Sequence, residues 1–467
     1  MIYFIKIKKM VNLKEIHIIS KDNETILFHY PSYTLISIND HIKEILEMIK
    51  SGISLSEISL KKNIIEADIK KLLLSFDKVI NKNLLCKEKE IEIEIKERAI
   101  HRITLHISND CNLRCKYCYA NGGNYNLHRH LMTKETAKDF YDFCINNFHH
   151  IEKIVFFGGE PCLNVDVIEY LCSLFYNYKF DKSLKELPKF GIITNGTIWN
   201  KRLIGVIKKY ITFITVSIDG EEKINDTNRI DKQGKGTYYR IAKFIDNIKH
   251  IPSVKVQYEA TYTKDHIKEN ITKDDISLFF RKRFDIEGFL VDEISIEEDS
   301  NKLEFSVQNV DNLPECFTDI LWAISFKHHL ESCQISRLQF AISTSGLIYP
   351  CHMDVGIESL NLGDIKGDNI FNSKHIQDHY PLFNLINSKE KLCPNCWCQN
   401  LCECCPRSFF YDSEAKRYSL SPNSDKCKYQ REYIEKILIA IVKLRQNKAK
   451  WQEYVNEINK KQKKYEY

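Results

Sequence analysis

Three cysteines share one short loop, with the spacing Cys-x₃-Cys-x₂-Cys at Cys111, Cys115 and Cys118. Three thiolates on one loop can ligate three irons of a [4Fe–4S] cube. No fourth cysteine lies in the loop, so one iron is left open for an exogenous ligand. Zinc also takes clustered thiolates, but a structural zinc site needs four ligands and no fourth His or Cys is obvious nearby. The pattern therefore predicts a redox-active iron–sulfur cluster.

A second and denser group of cysteines lies near the C-terminus of this chain, which has 17 cysteines in all. Disulfide frameworks are rarely so clumped, whereas metal sites collect ligands from one or two short loops. Seven cysteines are enough for two clusters, and a zinc-ribbon-like structural module is the alternative. The predicted ligands of this group are Cys333, Cys351, Cys393, Cys396, Cys402, Cys405 and Cys427.

The remaining cysteines carry weaker signals. Cys144 and Cys172 lie on helical apolar stripes, which is typical of small buried side chains rather than ligands. Cys162, Cys398 and Cys404 each adjoin a predicted site, and their roles stay open.

The elements that position these loops follow from the hydrophobic pattern. Between about residues 99 and 300, strand-like and helix-like segments alternate, which predicts a parallel sheet. Six such units are too few for a closed eight-stranded barrel, so we expect a partial barrel with functional residues on the loops after strand ends. The predicted strands are Arg102–Ser108, Lys153–Phe157, Lys189–Thr194, Phe213–Ile218, Val254–Tyr262 and Gly288–Ile296.

The two flanking regions differ from this core. Residues 1–98 begin with strand-like alternation and continue with three helical patterns, which predicts a small α+β, winged-helix-like module ending in a charged link at 87–98. Residues 301–430 are short on regular pattern and rich in cysteine. A helix is predicted over 431–467.

The cysteine loop resembles that of the radical S-adenosylmethionine (SAM) superfamily, and further motifs of that family follow in order at later strand ends. They are Gly158-Gly159-Glu160-Pro161, where the family binds the methionine amino group, Thr194-Asn195-Gly196-Thr197, Ser217-Ile218-Asp219-Gly220 and the Asn225–Arg229 stretch. The resemblance covers about residues 100–300. The predicted cofactor-binding residues are Tyr117, Gly158, Gly159, Glu160, Pro161, Thr194, Asn195, Ser217, Asp219 and Arg229.

The resemblance implies the chemistry and the fold. In this family SAM chelates the open iron, and one electron cleaves it to methionine and a 5′-deoxyadenosyl radical that abstracts hydrogen from an unactivated carbon. The fold class is then α/β, with a partial (β/α)₆ TIM-like barrel as the radical SAM core. No Ser/His/Asp triad and no catalytic zinc are expected.

The C-terminal cysteines resemble the SPASM domain, which holds two auxiliary [4Fe–4S] clusters in peptide-modifying members of the family. By that pattern Cys393, Cys396, Cys402 and Cys427 ligate one cluster. The other has three ligands, Cys333, Cys351 and Cys405, with its fourth site empty or filled by Cys316 or a substrate thiolate. The spacing between Cys402 and Cys405 is one residue shorter than the family usually has, so the assignment there is open by one position.

The N-terminal region resembles the domain that captures leader peptides in ribosomal-peptide maturases, by adding the leader as a strand to a sheet edge. A packing or dimerisation domain is the alternative. The favoured function is a maturase that installs a thioether or other radical-derived crosslink in a precursor peptide, using an electron donor such as ferredoxin or flavodoxin. The alternatives are an anaerobic sulfatase maturase, which makes formylglycine and usually begins close to its cysteine loop, and a non-enzymatic iron–sulfur or zinc scaffold.

Charge and hydropathy exclude two classes of partner. The 467 residues include 68 basic and 63 acidic side chains, for a formal net charge of +5, whereas a dedicated nucleic-acid binder needs a concentrated basic face. No stretch reaches the ~18 uninterrupted apolar residues of a membrane span, and the N-terminus lacks an apolar signal core. We therefore expect a cytoplasmic protein, for which Met10 is an alternative start.

Overall fold

The computed structural model describes residues 12–21, 23–82, 99–178, 184–292, 315–327, 329–330, 333, 335–336, 338–366 and 381–465. The charged link at 87–98 and the alternative start at Met10 lie outside these ranges, as does the side chain of Cys316. The described part holds a three-stranded sheet, a nine-stranded sheet and a two-stranded hairpin, with helices around them.

The N-terminal module is an antiparallel sheet followed by three helices, the layout that the sequence pattern predicts, with one additional short strand. Its elements are β1 (Ile16–Lys21), β2 (Glu24–His29), β3 (Thr34–Ser37), α1 (Asp40–Lys50), α2 (Leu55–Lys62) and α3 (Glu66–Lys82). Helix α1 begins where Asn39 Oδ1 accepts a hydrogen bond from Ile42 N–H (2.9 Å). Helix α2 begins where Ser54 Oγ accepts one from Glu57 N–H (3.3 Å).

The core is built from six parallel strands that neighbour one another in chain order, which confirms the predicted α/β fold class. The strands are β4 (Ala99–Ser108), β5 (His150–Gly158), β6 (Lys189–Thr194), β7 (Ile211–Ser217), β8 (Lys255–Tyr262) and β9 (Gly288–Asp292). The helices are α4 (Lys134–Asn147), α5 (Val165–Tyr176), α6 (Lys201–Tyr210), α7 (Glu222–Asn228), α8 (Tyr238–Ile248), α9 (Lys264–Lys268) and α10 (Lys273–Phe284). The one or two helices between successive strands return the chain to the same end of the sheet, so the loops that follow the strands meet at one rim.

The C-terminal region continues the same sheet beyond its first core strand. After α11 (Glu315–Phe326), the strand β10 (Gln339–Ile342) pairs parallel with β4, and Gln339 lies opposite Arg102. The strands β11 (Leu347–Tyr349) and β12 (Gly363–Asp364) extend it antiparallel. The region is therefore joined to the barrel by a shared sheet, which its lack of regular pattern did not indicate.

The last helices begin earlier than the sequence predicts. A helix over 381–386 (α12) is followed by α13 (Lys389–Leu392), α14 (Pro406–Phe410), the hairpin β13 (Tyr411–Asp412) and β14 (Arg417–Tyr418), α15 (Ser424–Gln446) and α16 (Lys448–Tyr465). The predicted start at Arg431 is wrong because Asn423 Oδ1 caps α15 by accepting from Asp425 N–H (3.1 Å) and Lys426 N–H (2.9 Å). The first two turns are polar and show no apolar stripe.

The N-terminal sheet is covered on both faces. Successive side chains of a strand point to opposite faces, so Leu27 packs with the helices α1–α3 while Phe28 packs with α15 and α11. Ile437 and Ile441 of α15 are fully buried in that second contact. Among the helices within the described ranges, none is long and apolar enough to cross a bilayer.

Candidate active site

The cysteine loop starts directly after β4 and is fastened to the segment that follows α7. Arg114 N–H donates to Ile230 O (2.7 Å), and a turn within the loop forms as Cys118 N–H donates to Cys115 O (3.2 Å). The thiols of Cys111, Cys115 and Cys118 are all half-buried and free of disulfides. The fold thus places three thiols on one loop at the rim of the barrel.

The surroundings of these thiols set their protonation. Burial, followed by the Glu160 carboxylate, raises the pKa of Cys111 to about 12. Burial also raises the pKa of Cys115, and the charge of Arg229 opposes that rise. Without a metal the thiols of Cys111 and Cys115 stay protonated at neutral pH, so binding of a cluster to them must release protons.

Other features fit an iron–sulfur group better than a closed apolar core. The Cys111 Sγ already accepts from Leu113 N–H (3.4 Å) and Asn195 Nδ2 (3.6 Å), donors that suit a ligated sulfur. The Asn109 side-chain amide is fully buried and has no hydrogen-bond partner within the described residues. In those same residues no three His, Cys, Asp or Glu side chains are set to hold a single ion.

The Gly158-Gly159-Glu160-Pro161 segment packs its backbone against the start of the cysteine loop. Gly159 N–H donates to Ser108 O (2.7 Å), and Glu160 N–H donates to Asp110 O (2.8 Å). Gly158 has a φ of 127°, and a Cβ there would lie 2.3 Å from Ser108 O. A Cβ on Gly159 would lie 2.3 Å from Asp110 O, which is backbone and cannot rotate away. Glycine is required here because two backbone segments touch.

We expect Gly159→Ala to displace the cysteine loop, because the added methyl overlaps Asp110 O. Overpacking of this kind costs about 1–3 kcal/mol. The variant should bind SAM at least about tenfold more weakly, the equivalent of 1.4 kcal/mol. The measurement is isothermal titration of anaerobically reconstituted protein with SAM. Gly205→Ala on α6 is the matched control, since nothing lies within 4 Å of its added Cβ; equal SAM affinity of both variants would contradict the tight contact.

Glu160 is completely buried and its carboxylate is saturated by hydrogen bonds. It accepts from Thr194 Oγ1 (2.6 Å), Asn195 N–H (2.7 Å) and Cys162 N–H (3.0 Å). Burial raises the pKa of Glu160, and the bond from Thr194 opposes this most strongly. The side chain therefore ties the ends of β5 and β6 together, while Pro161 opens a short 3₁₀ turn beside it.

Asn195 links this network to the cysteine loop. Its Nδ2 donates to Asn112 Oδ1 (2.9 Å), and its Oδ1 accepts from Thr197 Oγ1 (2.6 Å). Asn112 in turn donates to Thr197 Oγ1 (2.8 Å). The motifs predicted after the second and third strands therefore meet at the first cysteine.

A second network lies on the opposite side of the loop. Tyr117 OH donates to both carboxylate oxygens of Asp219 (3.0 and 2.8 Å) and contacts Arg229. Thr261 N–H also donates to Asp219 Oδ1 (3.1 Å), and Arg229 Nη1 lies 3.6 Å from it. Burial raises the pKa of Asp219, which Arg229 opposes. Arg229 Nε is buried without a partner among the described residues.

Ser217 completes the set of predicted cofactor-binding residues. It ends β7 and is half-buried beside this network, opposite Glu259 of β8.

The first group of C-terminal cysteines comes together at the edge strands β10 and β11. Burial, followed by the Cys405 thiol, raises the pKa of Cys333 to about 11. Burial raises the pKa of Cys351 well above its usual range, and Asp354, Cys405 and Cys333 add to the rise. These three cysteines therefore lie near one another.

An ion pair fixes two of these cysteines relative to each other. Asp354, three residues after Cys351, is fully buried and lies 2.7 Å from Arg407 Nε, two residues after Cys405. Tyr418 OH donates to the same carboxylate (2.8 Å). Burial raises the Asp354 pKa to about 6, with Arg407 opposing. Asp354 and Arg407 are positioning residues that the cysteine spacing alone does not reveal.

The second group gathers at the start of α15. Burial, followed by Cys396, Cys404 and Cys427, raises the pKa of Cys393 to about 11. Burial raises the pKa of Cys427, and Cys396 and Cys404 add to that rise.

The cysteines from Cys396 to Cys404 also lie close to one another. The Sγ atoms of Cys396 and Cys398 are 3.5 Å apart, and the Cys398 thiol lowers the Cys396 pKa to about 6. A hydrogen bond with Cys404 raises the pKa of Cys402. The structure therefore brings Cys404 and Cys398, as well as Cys402, to this group. Cys144 and Cys172 lie apart from both groups, buried in the helical core.

The sequence of this chain is similar to those of known proteins. Residues 105–258 match the family described as the radical SAM superfamily. The uncharacterized protein MJ0907 of Methanocaldococcus jannaschii is 38% identical over 29% of this chain, which spans only 44% of that relative. The radical SAM cyclopropyl synthase TigE of Paramaledivibacter caminithermalis is 24% identical, with 85% of this chain and 90% of the relative covered.

Two further similarities concern a named maturase and the fold. A cysteine-type anaerobic sulfatase-maturating enzyme of Clostridium novyi is 26% identical over 63% of this chain and 84% of its own length. The solved structure of native anSMEcpe with bound AdoMet and Kp18Cys peptide has a TM-score of 0.56 at 19% identity. It covers 73% of this chain and 99% of that one, and it shares the fold.

Proposed function

Because the chain is a radical SAM enzyme, as predicted, we propose that it modifies a ribosomally made, cysteine-rich precursor peptide by forming a thioether between a Cys sulfur and a carbon. When SAM is bound to the reduced cluster, the cofactor supplies a 5′-deoxyadenosyl radical. The chain's own residues orient the cofactor: Tyr117, Asp219 and Arg229 on one side, and the Gly159 and Asn195 segments on the other.

In this bond formation two hydrogens leave the peptide, one as an atom and one as a proton. The substrate carbon gives one hydrogen atom to the 5′-deoxyadenosyl radical, and the cysteine thiol loses its hydrogen as a proton. One electron remains when the carbon–sulfur bond forms, and an auxiliary cluster, which the C-terminal cysteines would hold, would supply an acceptor for it. Two auxiliary [4Fe–4S] clusters are part of this proposal, as is a ferredoxin- or flavodoxin-like donor for the first electron.

The observation that carries the peptide assignment is the extent of the similarity to TigE. Residues 99–467 make up less than four fifths of the chain, so a match over 85% of it extends into the N-terminal module. The sulfatase-maturase relative is matched over 63% of the chain only. The domains that we propose are a leader-recognition module over 1–98, the radical SAM core over 99–300, the auxiliary-cluster region over 301–430 and, overlapping its end, the C-terminal helices α15 and α16 in place of the one helix predicted over 431–467.

The edge strand β3 offers the place for a leader strand. Ile38 N–H donates to Thr25 O (2.9 Å), which makes this a hydrogen-bonded pair of the antiparallel ladder. Such pairs alternate along the strand, so Ile36 also faces β2, while Leu35 and Ser37 direct their backbone N–H groups away from it. Ser37 is exposed and can donate to an added strand.

A second candidate bond is favoured by the name of the TigE relative, a cyclopropyl synthase. Closing a carbon ring also removes two hydrogens from the peptide but consumes no thiol. Formylglycine formation from Cys consumes the thiol and introduces oxygen. Mass and thiol content together therefore separate the three reactions.

We expect the full-length enzyme to remove two hydrogens and one alkylatable thiol per event from a cysteine-rich precursor peptide, to be sought in a short reading frame next to its gene. Ser37→Pro should bind that peptide about tenfold more weakly, because it loses an outward N–H and adds a ring at the edge. Ser37→Ala, which keeps the N–H, is the matched control. Mass spectrometry with and without iodoacetamide gives the product, and fluorescence anisotropy of a labelled peptide gives the affinity.

The outcomes separate the parts of the proposal. Loss of two hydrogens with all thiols retained would replace the thioether by a carbon–carbon bond. Equal peptide affinity of Ser37→Pro and Ser37→Ala would show that β3 does not receive the leader. An unmodified peptide, in the presence of active SAM cleavage, would contradict the maturase assignment.

A further inference from the structure

The interior of the barrel carries polar side chains below the cofactor loops. On β4, Ile103 and Leu105 are fully buried in the core between sheet and helices. Side chains alternate across a strand, so Arg102 and Thr104 face the interior. Arg102 Nε donates to Thr104 Oγ1 (3.1 Å), and this bond holds the Nε end of the guanidinium on the interior face of the sheet.

The same alternation places an acid on the far side of the interior. On β8, Tyr258 and Ala260 are buried in the core on the helical side. Gln257 and Glu259 therefore face inward, and Gln257 Nε2 donates to Thr215 Oγ1 (2.9 Å) of the neighbouring strand. Glu259 is the one of these two inward side chains that carries a charge.

Arg102 and Glu259 both face the interior, where their charges act on each other without forming an ion pair. Burial raises the pKa of Glu259, and Arg102 is the first group that opposes this rise. Burial lowers the pKa of Arg102, and Glu259 is among the groups that oppose that change. Yet within the described residues no ion pair joins them, and the two terminal guanidinium nitrogens and the Glu259 carboxylate have no hydrogen-bond partner. Half-buried charges without partners are unfavourable, so they are suited to a ligand that supplies partners.

The two charges also lie between the two proposed centres. Arg102 is next to β10, and the thiols of Cys333 and Cys351 act on its pKa. Glu259 lies opposite Ser217, and Asp219 and Arg229 of the cofactor network act on its pKa. A substrate that gives a hydrogen atom to the cofactor and an electron to the auxiliary cluster must lie between these two centres, where Arg102 and Glu259 are.

We propose that Arg102 and Glu259 bind the peptide segment under modification, with an acidic side chain of the peptide on Arg102 and its N–H groups on Glu259. The inference rests on the proposed function and adds a substrate preference to it. A guanidinium presents a planar fork that matches a carboxylate, whereas a carboxylate accepts from N–H donors only. The preferred substrate therefore has Asp or Glu close to the reacting residue.

The test is equilibrium dialysis of the full-length, iron-loaded protein without SAM or reductant. The probes are two sets of short synthetic peptides, identical except that one set carries Glu where the other carries Gln. We expect about tenfold tighter retention of the Glu set by the wild type, as for one charge-assisted hydrogen-bonded pair. Arg102→Gln should abolish the preference and Arg102→Lys should retain part of it, because Lys keeps the charge without the fork.

The controls isolate the two charges. Lys255→Gln, which removes an exposed positive charge from β8, should keep the wild-type preference. Glu259→Gln should weaken retention of both peptide sets by a similar factor, because N–H donors are common to them. Equal retention of the two sets by the wild type would overturn the inference. So would an Arg102→Gln protein that shifts the reduction potentials of the iron–sulfur groups but keeps the preference for Glu.

These results are independent of the proposed chemistry, because binding needs neither cofactor cleavage nor electrons. A clear preference for Glu peptides with no modification of the precursor would contradict the maturase proposal alone. Modification of the precursor without any such preference would contradict only the role of Arg102 and Glu259.

Discussion

A variant in which Cys111, Cys115 and Cys118 are all replaced by Ala will release no 5′-deoxyadenosine from SAM above background under reducing conditions. The physical reason is that one loop supplies all three thiols at the rim of the barrel, so the variant loses every predicted protein ligand of that cube at once. Iron should fall from about twelve to about eight per chain, because each cube holds four irons. The measurements are chromatography of the nucleoside products and iron analysis after anaerobic reconstitution.

The control variants are Cys144→Ala and Cys172→Ala, which remove thiols that are fully buried in the helical core. Both should keep full iron and full SAM cleavage, apart from a small loss of stability from the cavity. The iron that remains in the triple variant shows that its C-terminal region is still folded. Reductive cleavage of SAM by the triple variant would rule out the assigned loop.

The order of strands and helices in the core could be predicted because each strand is short and apolar and each helix shows a stripe of the right period. The strand predicted at Lys189–Thr194 has the same bounds as β6. The joining of motifs at strand ends follows from the parallel topology, and it places Glu160 beside Asn195 as expected from loops at one rim.

Other features depend on contacts between distant parts of the chain and leave little local pattern. The strand β10 has four residues, and its partner β4 precedes it by more than two hundred residues. The strand β3 has four residues as well, and only pairing with β2 defines it. No spacing rule brings Arg102 of β4 toward Glu259 of β8, because the curvature of the sheet decides that approach.

In the cysteine-rich region, part of the arrangement follows from the local sequence and part depends on contacts between distant residues. Two separate groups could be expected from the clumping of thiols, but not which neighbours fill each group. In the structure Cys404 lies near Cys393 and Cys427, next to Cys402, whereas Cys405 lies near Cys333. Adjacent residues point to different sides of the chain, so a one-residue shift in spacing changes the group to which a thiol belongs.

Because the C-terminal cysteines form two separate groups, each group can be removed without the other. Replacing Cys333, Cys351 and Cys405 by Ala, or Cys393, Cys396 and Cys427 by Ala, should each remove about four irons and leave about eight. Both variants should still release 5′-deoxyadenosine without peptide, because the networks around Tyr117 and Glu160 that we propose to bind the cofactor lie elsewhere. The first variant should lose precursor modification by at least about a hundredfold, or 2.7 kcal/mol, because the replaced cysteines lie next to the barrel interior and the cluster that they would hold is the proposed acceptor of the last electron.

Asp354→Asn is a milder change at the same group as that first variant, because it leaves all three thiols in place. It keeps a partner for Tyr418 but removes the charge that faces Arg407, so the segments of Cys351 and Cys405 are held less firmly. We expect the first auxiliary group to lose iron on mild chelation several times faster than in the wild type, with the radical cluster unaffected. Stoichiometric zinc in place of iron in the wild type would contradict the auxiliary clusters. Unchanged iron in both triple variants would do so too, because the thiols would then have no metal to release.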